Sequence, residues 1–253
     1  MPGLSIITVV KDDPEGLQRT LASIDDQGDL DAEVVIIDGS AIALENVTLT
    51  SLPWRLVRQS PRGIYPAMNA GLENAGAEYV YYLNAGDTFS ERDTLKNILS
   101  GLHDAPGLAW AFGAVEFFDT SGNSLAEPSW SYEFERRRLF ARGLFPAHQG
   151  VVARTDVLRE LGGFDESYTV AADYKLILQL SICAAPIRWD WPIARFQQGG
   201  TSTQRWWTAI REFHRARSEV FRVSGQRRFA ESLDTARHSA RSFAARAIGS
   251  IRR

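Results

Sequence analysis

The chain has 253 residues, is 44% hydrophobic and 23% charged, and carries a formal net charge of −3, which excludes a disordered or fibrous polymer and leaves room for one large core or two modest ones. No apolar run approaches the roughly 20 residues needed to cross a bilayer, and residues 1–4 lead into a strand-like segment without a basic region or cleavage site, so a cytoplasmic location is expected. A single cysteine, Cys183, excludes an internal disulfide and any cysteine-based zinc cluster, and its apolar surroundings at 176–183 read as those of a buried core thiol.

Residues 4–10 (LSIITVV) are β-branched and predict a strand, and 14–24 has helical spacing with Leu17, Leu21 and Ile24 on one face. A second buried strand is expected at 33–40, ending in Asp38 and a turn, and a short third at 54–57. Residues 64–75 predict a helix with Gly76 at its C-terminal cap, followed by an apolar strand from Tyr79 that runs into the turn Asn84-Ala85-Gly86-Asp87. A helix over 92–102, a strand over 109–118 and a tight turn at 119–123 come next. Then follow a strand at 150–153, a helix at 155–161 closed by Gly162 and Gly163, a helix at 173–183 and a strand at 186–196. Strands alternating with helices imply an α/β fold with a Rossmann-like, mainly parallel central sheet flanked by helices.

The last 53 residues differ in character. From Thr201 to Arg253 twelve arginines face four acidic residues, a balance of +8 that leaves −11 on the rest. Two basic amphipathic helices fit the spacing there, the first expected to close the core and the second to rest on an anionic membrane surface. Residues 1–203 are read as the catalytic domain and 204–253 as a helical appendage. Nucleic acid is not expected as a partner, because no recognised binding module accompanies the charge.

Three carboxylates, Asp38, Asp87 and Asp173, stand at or near the ends of predicted elements, where ligands of parallel sheets bind. Each also has a local reading as a turn or helix-cap residue, and Asp173 stands where an N-cap would. Neither a G-x-x-x-x-G-K-[ST] loop nor a G-x-G-x-x-G loop follows the first strand; Lys11-Asp12-Asp13-Pro14 is found instead. Phosphate binding then falls to a divalent cation, Mn²⁺ or Mg²⁺, which commonly takes one or two protein carboxylates and fills its shell from phosphate and water.

Residues 4–12 (LSIITVVKD), 37–40 (IDGS), 63–71 (GIYPAMNAG), 83–87 (LNAGD), 148–150 (HQG), 162–165 (GGFD) and 171–174 (AADY) together resemble the ordered motifs of family 2 glycosyltransferases with a GT-A fold. Within that family the chain is most similar to bacterial enzymes that add single sugars to exopolysaccharide or glycolipid intermediates. The resemblance implies inverting transfer of a sugar from a nucleotide diphosphate, UDP favoured and GDP possible, to a hydroxyl of a glycolipid or saccharide acceptor. It also implies roles for single residues. Thr8, Val10 and Asp38 would line the nucleoside pocket, and Arg62, Tyr65, Asn69, Asn84 and Asp87 would contact the donor. Asp87 would hold the metal, Asp173 would be the general base, and His148, Gln149 and Asp165 would touch the sugar or acceptor. Residues 199–202 (GGTS) resemble the loop that closes over the donor.

Two departures stand out. The family pattern G-I-Y-D-A-M-N has Pro66 here in place of the aspartate, with Arg62 where an acidic residue is usual, and Asn84 and Gly86 stand where other members carry aspartates. Donor identity therefore does not transfer from relatives, and weak metal binding without the donor is expected. The alternatives are a catalytically degenerate GT-A domain that binds a nucleotide sugar or a partner enzyme, and a sugar nucleotidyltransferase. The latter requires a glycine-rich basic loop after the first strand.

Overall fold

A computed structural model describes residues 3–44, 47, 51–118, 124, 145–197 and 206–221. The turn expected at 119–123, the loop at 199–202 and the basic segment after Gly225 lie outside the described residues. In chain order the elements are β1 (Leu4–Val10), α1 (Pro14–Asp25), β2 (Ala32–Asp38), β3 (Trp54–Arg58), α2 (Ile64–Asn74), β4 (Tyr79–Tyr82), β5 (Thr88–Phe89) and α3 (Thr94–His103). They continue with β6 (Trp110–Phe118), a 3-10 turn (His148–Gly150), β7 (Val151–Arg154), α4 (Thr155–Glu160), α5 (Ala172–Cys183), β8 (Ile187–Gln197) and α6 (Trp206–Val220).

β1 and β2 lie inside the sheet because neither has a polar face to give to water; all seven residues of β2 are buried. They pair in parallel from Leu4↔Ala32 to Val10↔Asp38, and β3 and β4 join in parallel on either side. Beyond β4 the direction changes. β7 runs antiparallel to both β4 and β6, β8 runs parallel to β6, and β5 closes the edge antiparallel to β8, giving the order β3-β2-β1-β4-β7-β6-β8-β5. The sheet is thus mixed, with its parallel half built from the first part of the chain. Period-two alternation sends Ile7, Val35 and Ile37 to one core with α2, α4 and α5, and Leu4, Ile6, Val34 and Ile36 to another with α1 and α3. This is the layered α/β arrangement expected from the sequence.

Local chemistry sets the helix ends. The Asp13 carboxylate accepts from the Gly16 N–H at 2.8 Å and Pro14 takes the first position of α1, where a missing N–H costs nothing. α4 stops ahead of Gly162 and Gly163, both with positive φ, as its sequence predicts. α2 ends differently. Gly76 is not a left-handed cap: Ala75 is already extended, and the Gly76 N–H donates to the Glu33 carboxylate at 2.7 Å, so a partner on β2 ends the helix. The two-residue β5 has no sequence signature and was not expected. Cys183 is also corrected. It is exposed, because the buried face of α5 runs from Ala172 to Ser181 and turns away before the last residue.

α6 packs on α5: Ile210, Ala216 and Arg217 are buried, and Phe213 stacks on Tyr174 at 4.2 Å. No helix among the described residues is long and apolar enough to cross a membrane.

α2 packs closely on β1 in the parallel half. Gly71 permits it, since a Cβ there would overlap the side chain of the fully buried Ile7. Gly71→Ala should cost about 1–3 kcal/mol through overpacking. It should appear as a lower urea midpoint with an unchanged slope; an unchanged midpoint would show that helix and strand separate at no cost.

Candidate active site

The chain leaves β4 still pinned to β1, because Leu83 N–H donates to Ile7 C=O and Ala85 N–H to Val9 C=O, each at 3.0 Å. It then turns at Gly86, whose φ of 95° is open to glycine at little cost. Thr20, a buried polar residue on the apolar face of α1, holds the turn: its hydroxyl accepts from Gly86 N–H at 3.0 Å and donates to Asp87 C=O at 2.7 Å. Sequence reasoning missed Thr20; the one polar side chain in an otherwise apolar helical stripe was the available signal.

This turn delivers Asp87 into the interior, 5% exposed. Burial pushes its carboxyl up to about 7, and the nearby His148, a hydrogen bond from the Gln149 side chain and the Asn84 backbone N–H only partly oppose the rise. No lysine or arginine among the described residues pairs with it. Asn84 Oδ1 is likewise buried and has no hydrogen-bond partner among the described residues. An ionisable carboxyl and an orphan amide oxygen in one turn are hard oxygen donors of the kind a divalent cation takes. They fall short of a complete cage, and no group of three or more His, Cys, Asp or Glu side chains among the described residues is arranged to hold a metal. The residues therefore fit a cation that brings further oxygen ligands with it.

His148 links this turn to Asp173. Its Nε2 lies 3.4 Å from Asn84 Nδ2, and its Nδ1 lies 3.6 Å from Asp173 Oδ2. Nδ1 is thus the ring nitrogen that faces Asp173. Gln149, also on the 3-10 turn, is fixed by Tyr81, whose hydroxyl donates to the Gln149 C=O at 2.8 Å. Asp173 lies in the first turn of α5 and is not its N-cap, a position held by Ala171. Its Oδ1 accepts from Tyr174 N–H at 2.8 Å, which leaves Oδ2 toward His148. Tyr65 stands beneath: its hydroxyl meets the backbone N–H groups of Ala172 and Asp173, and burial, reinforced by the Asp173 charge, pushes it up.

The structure thus brings Tyr65, Asn84, Asp87, His148, Gln149 and Asp173 together. The remaining candidates lie in other surroundings. Asp38 is fully buried at the end of β2, accepting from Ser40 N–H at 2.8 Å and pairing with Arg58 at 2.6 Å. Burial works against its charge, yet the bonds from Ser40 and Leu44 and the Arg58 guanidinium hold its carboxyl below the ordinary value. Thr8 and Val10 are buried on β1, and Thr8 Oγ1 has no partner among the described residues. Arg62 is exposed ahead of α2. The Asn69 amide is committed to the loop after α4, donating to Phe164 C=O and accepting from Phe164 N–H, each at 2.8 Å. Asp165 binds Lys175 at 2.6 Å; burial opposes its charge, but Lys175 and Ser167 bring its carboxyl to about 2.

Comparison with known proteins adds three findings. The model of the family described as "Glycosyl transferase family 2" matches residues 5–162, more than half of the chain. Among relatives, an uncharacterized glycosyltransferase of Mycobacterium tuberculosis is 25% identical over 214 residues, covering 81% of this chain and 78% of its own. A PGL/p-HBAD biosynthesis glycosyltransferase of Mycobacterium bovis is 29% identical over 182 residues, covering 68% and 67%. Among solved structures, S. aureus TarS 1-349 in complex with UDP superposes with a TM-score of 0.67 at 14% identity, over 96% of this chain and 72% of that one. The Pyrobaculum calidifontis mannosyltransferase PcManGT, with GDP-Man and Mn²⁺, gives 0.61 at 17% identity, over 96% and 76%.

The buried Asp87 predicts a stability signature. Its folded-state value of about 7 lies above the ordinary 3.8, so the folded chain holds the extra proton and loses stability as pH rises between those values. Above pH 7 the full penalty is present, on the order of a few kcal/mol. Asp87→Asn should therefore melt higher than the parent at pH 8, with the gap closing toward pH 4. A variant that melts lower at pH 8, or a gap that ignores pH, would show that the carboxylate is already compensated.

Proposed function

Since the chain belongs to glycosyl transferase family 2, we propose that it moves a sugar, with inversion, from a nucleotide diphosphate to a hydroxyl of a glycolipid or saccharide acceptor. The observation that carries this reading is the link Asp87–His148–Asp173, which sets a buried carboxyl suited to a cation beside a carboxylate suited to a proton. A divalent cation supplies positive charge where the departing diphosphate gains negative charge, an interaction stronger in the transition state than in the ground state.

The chain's own residues do the rest. Asp87 and Asn84 Oδ1 would hold that cation, and the Gln149 side chain keeps Asp87 oriented. Asp173 is the general base: the acceptor oxygen attacks the anomeric carbon as the bond to the diphosphate oxygen breaks, and its proton passes to Asp173 Oδ2. Oδ2 faces His148, whose Nδ1 lies 3.6 Å away, while Oδ1 accepts from Tyr174 N–H. Asp38, Thr8 and Val10 at the ends of β1 and β2 receive the nucleoside, with Arg58 released from Asp38 or shared with the base. Arg62 lies beside the N-terminus of α2, where an exposed guanidinium is suited to a diphosphate.

The complexes of TarS with UDP and of PcManGT with GDP-Man and Mn²⁺ support both nucleotides as probes and a cation as companion. The PGL/p-HBAD biosynthesis in the name of the M. bovis relative supports a biosynthetic transfer of sugar to an acceptor.

Calorimetry with UDP and GDP, with and without Mn²⁺, tests this directly. One nucleotide should bind, more tightly with Mn²⁺, and Asp87→Asn should remove the Mn²⁺-dependent part. UDP-glucose, UDP-GlcNAc and GDP-mannose then form a panel for nucleotide release. On its best member Asp173→Asn should lower turnover by roughly 10²–10⁴-fold, as expected for loss of a general base, while nucleotide affinity stays within about twofold. An Asp173→Asn enzyme with most of its activity would overturn the assignment of the base, and failure of both nucleotides to bind would sink the transferase reading.

A further inference from the structure

α5 begins without a side-chain cap of its own, since Ala171 is the N-cap residue. The exposed N–H groups of a helix start must be satisfied from elsewhere. Here the partner comes from α6. Glu212 Oε1 accepts from Thr169 N–H at 2.9 Å and from the Thr169 hydroxyl at 2.7 Å, while Oε2 accepts from Val170 N–H at 2.9 Å and Ala171 N–H at 2.8 Å. Burial opposes the charge on Glu212, yet these bonds outweigh it and hold the carboxyl below its ordinary value.

The following N–H groups, of Ala172 and Asp173, meet the Tyr65 hydroxyl, and that of Tyr174 meets Asp173 itself. The backbone donors of 169, 170 and 171 are therefore all held by one carboxylate on another helix. α6 is anchored nearby: Arg217 donates to the Tyr174 hydroxyl at 3.1 Å, and Arg215 donates to the Ser167 hydroxyl at 2.9 Å.

We propose that Glu212 is a positioning residue for the transfer step: it latches residues 169–171 to α6 and so sets where Asp173 Oδ2 stands against His148 and the acceptor. This rests on the reading of Asp173 as the general base. Glu212 touches neither donor nor acceptor in this scheme and acts only through the segment it holds. Removing its carboxylate frees three adjacent backbone donors, and the start of α5 must shift to find water or new partners. A base displaced by an ångström loses rate without any loss of donor binding.

The test uses the full chain with four substitutions: Glu212→Ala, the milder Glu212→Gln, Ile210→Val as a packing change in the same helix, and Asp173→Asn. Turnover and KM are measured on the best donor of the panel above, UDP or GDP affinity by calorimetry with Mn²⁺, and backbone hydrogen exchange over 169–174. Glu212→Ala should lower kcat between about 10- and 100-fold with donor KM and nucleotide affinity within about twofold, and should speed exchange at 169–174. Glu212→Gln should fall between Glu212→Ala and the parent, since its amide keeps one acceptor oxygen. Ile210→Val should leave kcat within about twofold after correction for the folded fraction, because it leaves the latch in place.

Glu212 variants with near-parental kcat beside an inactive Asp173→Asn would overturn the latch and leave the base standing. A kcat loss that Ile210→Val reproduces at equal thermal stability would also overturn it, by reducing Glu212 to a stability residue. Turnover by Asp173→Asn would remove the premise instead, and that outcome is read independently of Glu212.

Discussion

A carboxyl group carried into the interior, with no lysine or arginine among the described residues paired to it, is the constraint around which this site is arranged. Asp87 is 5% exposed and its charge is opposed by burial. Left to local preference, the turn would swing such a group toward water. It is held inward by backbone bonds from the 83–85 segment to β1 and by the Thr20 hydroxyl, which takes one group on each side of the peptide link between Gly86 and Asp87. The scaffold thus accepts an electrostatic penalty at one position and spends ordinary hydrogen bonds to keep it there. Such local conflicts between stability and placement concentrate at functional sites.

The contrast with carboxylates that are paired among the described residues sharpens this. Asp38 has Arg58, Asp165 has Lys175, and Glu33 has Arg55 together with the Gly76 N–H. Each pairs its charge within the chain, and Asp38 and Asp165 are held below the ordinary carboxylate value. Asp87 receives only an amide, a neighbouring imidazole and one backbone N–H, too little to offset burial. Its charge is thus the one the proposed cation would offset. Asn84 Oδ1, buried without a partner among the described residues, stands in the same turn.

Much of this was legible in the sequence because it is local. Continuous β-branched apolar runs mark β1 and β2, helical spacing marks α1, and the position of Asp87 after an apolar strand announces a site at a sheet edge. What escaped is decided across the chain. Thr20 meets Gly86 from 66 positions away, and Glu212 meets Ala171 from 41. No window of neighbouring residues contains both members of either pair. Gly76 misled for the same reason: a glycine after a helical pattern resembles a left-handed cap, but the Glu33 carboxylate on β2 draws its N–H into an extended path. Cys183 shows the reverse error, an apolar run that outlasts the buried face of its helix by two residues.

The mixed sheet gives the two carboxylates separate supports. Asp87 hangs from the parallel half, through β4, β1 and α1, whereas Asp173 belongs to the later half, through α5 and the helix that follows. The 3-10 turn at His148–Gly150 lies between them, and it is short and buried at Gln149 and Gly150. One residue of that turn addresses each carboxylate: Gln149 bonds Asp87, and His148 faces Asp173 while also lying near Asp87. A displacement of the turn therefore moves both partners at once. This couples the end of the site suited to a leaving diphosphate with the end suited to a departing proton, although neither carboxylate shares a secondary-structure element with the other. With Oδ1 of Asp173 bonded within its own helix, Oδ2 is the oxygen turned toward the 3-10 turn that also meets Asp87.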